Sequence, residues 1–191
     1  MPFFLVDVFA SEPLTGNPLA VVPDADGLSE ATMRAIARAF NQSETTFLVR
    51  PTLAGAAWRL RSFTPIGVEV LGAGHNAMGA WIWLADTDRL PDGEEGFSQE
   101  IGEEVLPVRV ARTEGMPSIV SMDQPAPVFG SVVRDPGQLA ASLGLAGGDL
   151  AEGAVAQLVS TGAGHLLVPL RDRAVVDLAI PDAAPLAAVL R

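Results

Sequence analysis

Residues 77–85, Ala-Met-Gly-Ala-Trp-Ile-Trp-Leu-Ala, carry no charge. A helix of this composition has no face suited to water, so the rest of the chain must enclose it on all sides. Just upstream, Arg61-Ser62-Phe63 begins like a strand and breaks at Thr64-Pro65. Glycines 67, 72 and 74 then lead into His75-Asn76. The start of the helix therefore falls on Gly-Ala-Gly-His-Asn. The first N–H groups of a helix lack intrahelical partners and sit at the positive end of its dipole. Glycines admit a ligand close to such a backbone. The stretch reads either as a Gly-rich cap on a core helix or as an anion site, and a histidine at the mouth favours the site. A β-branched residue at Gly74 would crowd this backbone and resist any positive φ the turn requires.

Composition narrows the chemistry. Hydrophobic residues make up 49% of the 191 and charged residues 18%, which suits one large or two small folded domains. A net charge of −11 opposes binding to nucleic acid or to an anionic membrane surface. No apolar run reaches bilayer-spanning length. Met1 to Asp7 lacks the basic start of a signal peptide, so a cytoplasmic location is expected. There is no cysteine, lysine or tyrosine. Disulfides, thiolate metal sites and a lysine Schiff base are thus excluded within these residues. Proton transfer falls to Asp, Glu, His75 and His165. No His-x-x-x-His or similar cluster points to a metal.

In chain order, residues 3–9 read as a strand and the Gly16-Asn17-Pro18 region, with Pro13, as a turn. Residues 19–22 read as the paired strand. Ser29 reads as the N-cap of a helix burying Met33, Ile36, Ala37 and Phe40, closed by Asn41-Gln42-Ser43. Glu44 then opens the strand 45–49. It is either a solvated strand end or a partly buried acid able to move protons, with Glu69 as the rival carboxylate. Residues 58–63 alternate apolar and basic, as an exposed-face strand would. Residues 86–99 read as an acidic surface loop, 103–112 as a strand, and 113–117 as a hairpin end. Residues 123–127 read as a linker. Beyond it come a helix at 136–145, strands at 154–160 and 165–170, and a helix at 181–191. Gly-Ala-Gly-His occurs at both 72–75 and 162–165, in flanks too different for a repeat.

Taken in order, Asp7-Val8-Phe9, residues 16–22 (Gly-Asn-Pro-Leu-Ala-Val-Val), residues 41–47 (Asn-Gln-Ser-Glu-Thr-Thr-Phe), Phe63-Thr64-Pro65, Glu69-Val70 and Gly74-His75 resemble the PhzF-like family. Residues 159–162 and 165–168 resemble its second domain. That family takes its name from a phenazine-biosynthesis isomerase and is related in fold to diaminopimelate epimerase. The resemblance implies an α+β fold of two similar domains, each a curved mixed, barrel-like sheet wrapped around a central helix, with the active site in the cleft between them. Here the first domain would be 1–114, with its central helix at 77–85, and 115–191 a partial second domain. It also implies cofactor-free acid–base catalysis that shifts a proton in a small carboxylated metabolite. By motif, Glu44 matches the general acid/base, and His75 the histidine that assists it. Gly74 and Asn76 would offer N–H groups to the substrate carboxylate, while Asn17 and Ser43 would line the pocket.

Two departures stand out. Asn76 replaces the family's usual proline, although an Asn also serves as an N-cap. The family's Asp-Pro-x-Thr-Gly-Ser-Ala segment has no counterpart, since Asp135-Pro136 is followed by Gly137-Gln138-Leu139. Three expectations follow: an isomerase completed by a C-terminal-half chain, a catalytically degenerate binding module, or an interaction subunit. A homodimer or heteromer, joined through residues after about Pro125, is expected because half-finished sheets expose edges and apolar faces.

Overall fold

The computed structural model describes residues 1–12, 14–113, 115–124, 126–161 and 164–189. Pro13 of the first turn, Glu114 of the hairpin end, Pro125 of the linker, Gly162 and Ala163 of the second Gly-Ala-Gly-His, and residues 190–191 lie outside them. The chain divides into two compact units, 1–124 and 125–191.

The first unit opens with strands β1 (Phe4–Val8) and β2 (Asn17–Val22), paired antiparallel so that Val8 lies opposite Asn17. The turn between them is so close that a Cβ on Gly16 would collide with the Val8 carbonyl oxygen, which only glycine avoids. The Asp7 carboxylate fastens it, accepting the N–H groups of Thr15 at 3.0 Å and Gly16 at 3.1 Å. Helix α1 (Glu30–Phe40) starts where Ser29 Oγ accepts the Thr32 N–H. It stops at Asn41, whose left-handed backbone (φ 52°) no longer propagates the helix. It carries the chain over to β3 (Thr45–Val49), parallel to β2.

Strands β4 (Trp58–Phe63) and β5 (Glu69–Val70) follow, each antiparallel to its predecessor. Helix α2 (His75–Asp86) is the second crossover and leads to β6 (Gly96–Ile101), parallel to β4. Strands β7 (Glu104–Ala111) and β8 (Ile119–Ser121) complete a mixed sheet ordered β1-β2-β3-β4-β6-β7-β8, with β5 beside β4. Helix α2 packs on β1, β2, β3 and β4 and also on β7 and β8 at the far end of that order. A sheet that meets one helix from both of its ends is curled around it.

Strand alternation explains the layering. Leu19 and Val21, Leu48, and Leu60 face α2, in a core centred on Trp81 and Leu84. Val22, Phe47, Val49 and Phe63 face the other way, onto Met33 and Ala37 of α1. Strand β3 is covered on both faces, and every one of its residues is buried. No residue from His75 to Ala85 is exposed, as the charge-free run requires.

Three readings of the sequence are corrected here. Strand β4 is central rather than exposed. Arg61 is 17% exposed, gripped by Glu69 through two bonds of 2.7 Å and by Glu30 at 2.7 Å, and Arg59 reaches Glu100 at 3.0 Å. Residues 96–99 belong to β6 rather than to a loop. The Gln99 side chain is buried against a distant partner, with Trp81 Nε1 donating to Gln99 Oε1 at 2.8 Å. Residues 115–124 belong with the first unit, because β8 pairs with β7 and Gln124 donates to the Ala73 carbonyl at 2.7 Å.

The second unit holds an antiparallel sheet of β9 (Val128–Val132), β10 (Gln157–Ser160) and β11 (Gly164–Leu167), in the order β11-β10-β9. Helices α3 (Pro136–Ser142), α4 (Arg173–Leu178) and α5 (Ala183–Val189) accompany it. Asp135 caps α3 with Pro136 in its first turn, and Asp172 caps α4. The strands expected over 154–160 and 165–170 are shorter than expected, and Leu170 forms only an isolated bridge to Leu150.

Candidate active site

Alternation also decides which polar groups reach the start of α2. Asn17 shares the face of Leu19 on β2. Glu44 precedes β3 in phase with Thr46 and Leu48. Ser62 shares the face of Leu60 on β4. Asn17, Glu44 and Ser62 lie at the same end of this part of the sheet, and His75 and Asn76 begin the helix that this face surrounds.

Glu44 Oε2 lies 3.1 Å from His75 Nδ1, with the two side chains 20% and 12% exposed. The oxygen is off the line of the ring N–H and has no hydrogen-bond partner among the described residues, so it remains an uncommitted acceptor. On the other side of the ring, Nε2 lies 3.4 Å from Ser43 Oγ, which in turn lies 3.4 Å from Asn17 Oδ1. The imidazole thus has a carboxylate at one nitrogen and a hydroxyl at the other. Asn17, Ser43 and Gly74 are exposed and form the solvent side of this group. The rival Glu69 is committed elsewhere: Arg61 holds both of its oxygens, and Glu69, together with Glu30, keeps that guanidinium more firmly protonated than usual despite its burial.

At the start of α2, the Ala77 and Met78 N–H groups bond the Gly74 carbonyl. The Gly74 N–H is taken by Asn76 Oδ1 at 2.8 Å, so Gly74 is not a free donor as expected. The N–H groups of His75 and Asn76 have no partner among the described residues, and no side chain caps the helix. Gly74 has φ −120°, and a Cβ there would meet only Asn76 Oδ1 at 3.5 Å, so the expected demand for positive φ does not arise. The side chains of Thr46 and Ser62, buried beneath the pair together with that of Asn76, are site features the sequence did not single out. The phase of Thr46 with Glu44 was the available signal. Among the described residues, no group of three or more His, Asp or Glu is placed to hold a metal ion, and no helix is long and apolar enough to cross a membrane.

The family model for phenazine biosynthesis-like proteins (PhzC-PhzF) matches residues 6–190. The chain belongs to the PhzF-like family. A trans-2,3-dihydro-3-hydroxyanthranilate isomerase of Pseudomonas aeruginosa is 37% identical over 181 residues, 94% of this chain and 61% of that protein. The crystal structure of a PhzF-family phenazine biosynthesis protein of Bacillus anthracis superposes with TM-score 0.83 at 31% identity, covering 95% of this chain and 60% of that one. This PhzF-like chain therefore spans about three-fifths of the length of those relatives. A probable proline racemase of Agrobacterium radiobacter shares the fold at TM-score 0.54 and 13% identity, with 86% of this chain and 51% of that one covered. The curled mixed sheet around a helix is thus the diaminopimelate-epimerase-like fold that the motifs imply.

Proposed function

We propose that this chain carries the acid–base centre of a cofactor-independent isomerase acting on a small carboxylated metabolite. The observation that carries the reading is the uncommitted Glu44 oxygen 3.1 Å from His75 Nδ1, at the mouth of a helix with unpaired N–H groups. In this reading the His75 and Asn76 amides receive the substrate carboxylate, where the helix dipole favours negative charge. Asn17 and Ser43 line the opening. Ionised Glu44 takes a proton from a carbon of the substrate, His75 steadies the charge beside it, and the proton returns at a second carbon. Atoms and charge balance within substrate and enzyme, so no redox partner enters. The relatives carry length beyond the part matched here, and turnover is proposed for a site completed by such residues, in the same chain or in a partner chain. Its expected setting is the cytoplasm.

Trans-2,3-dihydro-3-hydroxyanthranilate, the compound in the relative's name, is the first probe. Solvent-deuterium incorporation should fall by about 10²–10⁴ in Glu44→Gln, since the amide keeps the shape but cannot titrate. Undiminished incorporation would return Glu44 to a plain strand end. A second reading, an interaction subunit, is favoured by the exposed Val128, Phe129, Leu178 and Ile180 of the second unit.

A further inference from the structure

The buried polar cluster beneath the pair closes on itself. Asn76 Nδ2 donates to Ser62 Oγ at 3.1 Å. The Ser62 hydroxyl lies 2.8 Å from Thr46 Oγ1, and the Thr46 hydroxyl donates to the Asn76 carbonyl at 3.3 Å. With Thr46 giving its only proton to that carbonyl, the Ser62 proton must go to Thr46, so the ring of bonds starts and ends on residue 76. The rest of the Asn76 amide is used as well: Nδ2 also donates to the Gly72 carbonyl at 3.1 Å, and Oδ1 accepts the Gly74 N–H at 2.8 Å. Thr46, Ser62 and Asn76 are 0, 1 and 3% exposed, and they sit among apolar side chains.

We infer that Thr46, Ser62 and Asn76 are positioning residues that set the separation of Glu44 and His75. Thr46 lies directly across from Ser62 in the β3–β4 ladder. It also lies on the strand face of Glu44, while Asn76 is the immediate neighbour of His75. The bonds therefore join the strand that carries the carboxylate to the helix turn that carries the imidazole. In a buried setting each bond is directional, and a broken one leaves an orphaned polar group, so the arrangement holds one register rather than a range. Apolar packing at these positions would fill the space without fixing that register. The same amide holds the Gly72–Gly74 backbone and takes up the Gly74 N–H, which leaves the His75 and Asn76 amides as the donors of this turn without a partner among the described residues. The inference rests on the proposed Glu44–His75 pairing.

The test is the ¹⁵N spectrum of the imidazole rings at fixed pH, with His75 and His165 told apart through His165→Gln. Glu44→Gln gives the displacement of the His75 Nδ1 signal that marks loss of the pair. Thr46→Val and Ser62→Ala should move that signal most of the way to the same position, while Thr46→Ser, which keeps the hydroxyl, should restore it and His165 should not shift. Folded Thr46→Val and Ser62→Ala proteins with the wild-type His75 signal would overturn the positioning role. An unmoved signal in Glu44→Gln itself would instead overturn the pairing, and the inference with it. Ser62→Ala removes a single atom, so the test stands even where Thr46→Val fails to fold.

Discussion

At the scale of single residues, the chain contains two carboxylates with opposite fates. Glu44 keeps an oxygen without a hydrogen bond, whereas Glu100, 1% exposed, has every bond it needs. The Thr52 hydroxyl reaches it at 2.6 Å, the Thr52 and Leu53 N–H groups at 2.5 and 2.8 Å, and Arg59 at 3.0 Å. Burial alone would raise this carboxyl, but those donors outweigh it and hold it below the ordinary glutamate range. A depressed folded value means that the stabilisation is present above the unfolded value, about 4.3, and is lost as pH falls through the folded one. Glu100→Gln should therefore destabilise the fold at neutral pH by about 1–3 kcal/mol, because the Thr52 and Leu53 donors lose their charged acceptor. The deficit should shrink on acidification below pH ~4, as followed by urea unfolding at several pH values. None of this was legible locally. In the sequence Glu100 closes an acidic stretch, and its partners lie more than forty positions away.

At the scale of elements, legibility followed the range of the deciding interaction. Helix α1 was readable from Ser29 and from the spacing of Met33 and Ala37, and α2 from its lack of charge, because those signals lie within the element. Strands β4 and β6 were misread since Arg59, Arg61, Gln99 and Glu100 are paired with residues of other strands and helices, and a pattern of charges does not reveal its partners. The Glu44–His75 pairing was suggested by motif, but the diversion of the Gly74 N–H to Asn76 depends on a side-chain rotation that no spacing encodes. Helix α2 also explains its own internal glycine. A Cβ on Gly79 would come within 2.6 Å of Leu19 Cδ2 and 2.8 Å of Val8 Cγ2, where both residues are fully packed. Gly79→Ala gains about 1 kcal/mol of helix propensity but meets overpacking of about 1–3 kcal/mol. A net loss of stability is expected in thermal unfolding, and a raised melting temperature would show that α2 has room to shift.

At the scale of the whole molecule, the two units differ in how much apolar surface they cover. Residues 125–191 leave Val128, Phe129 and Val132 of β9 exposed, together with Leu167, Leu178 and Ile180. We expect association through this unit, and sedimentation at micromolar concentration should show species larger than one chain; a stable monomer would overturn that. The position of Trp81 has a further consequence. The chain has no tyrosine, and its three tryptophans, Trp58, Trp81 and Trp83, all fall within residues 1–124. Ultraviolet emission is therefore a private signal of the first unit. With Trp81 fully enclosed and stacked on Phe97 at 5.4 Å between ring centroids, that emission should be blue-shifted when folded. It should turn red only when the helix loses its wrapping, while melting of residues 125–191 alone should pass unseen by fluorescence and appear only in circular dichroism.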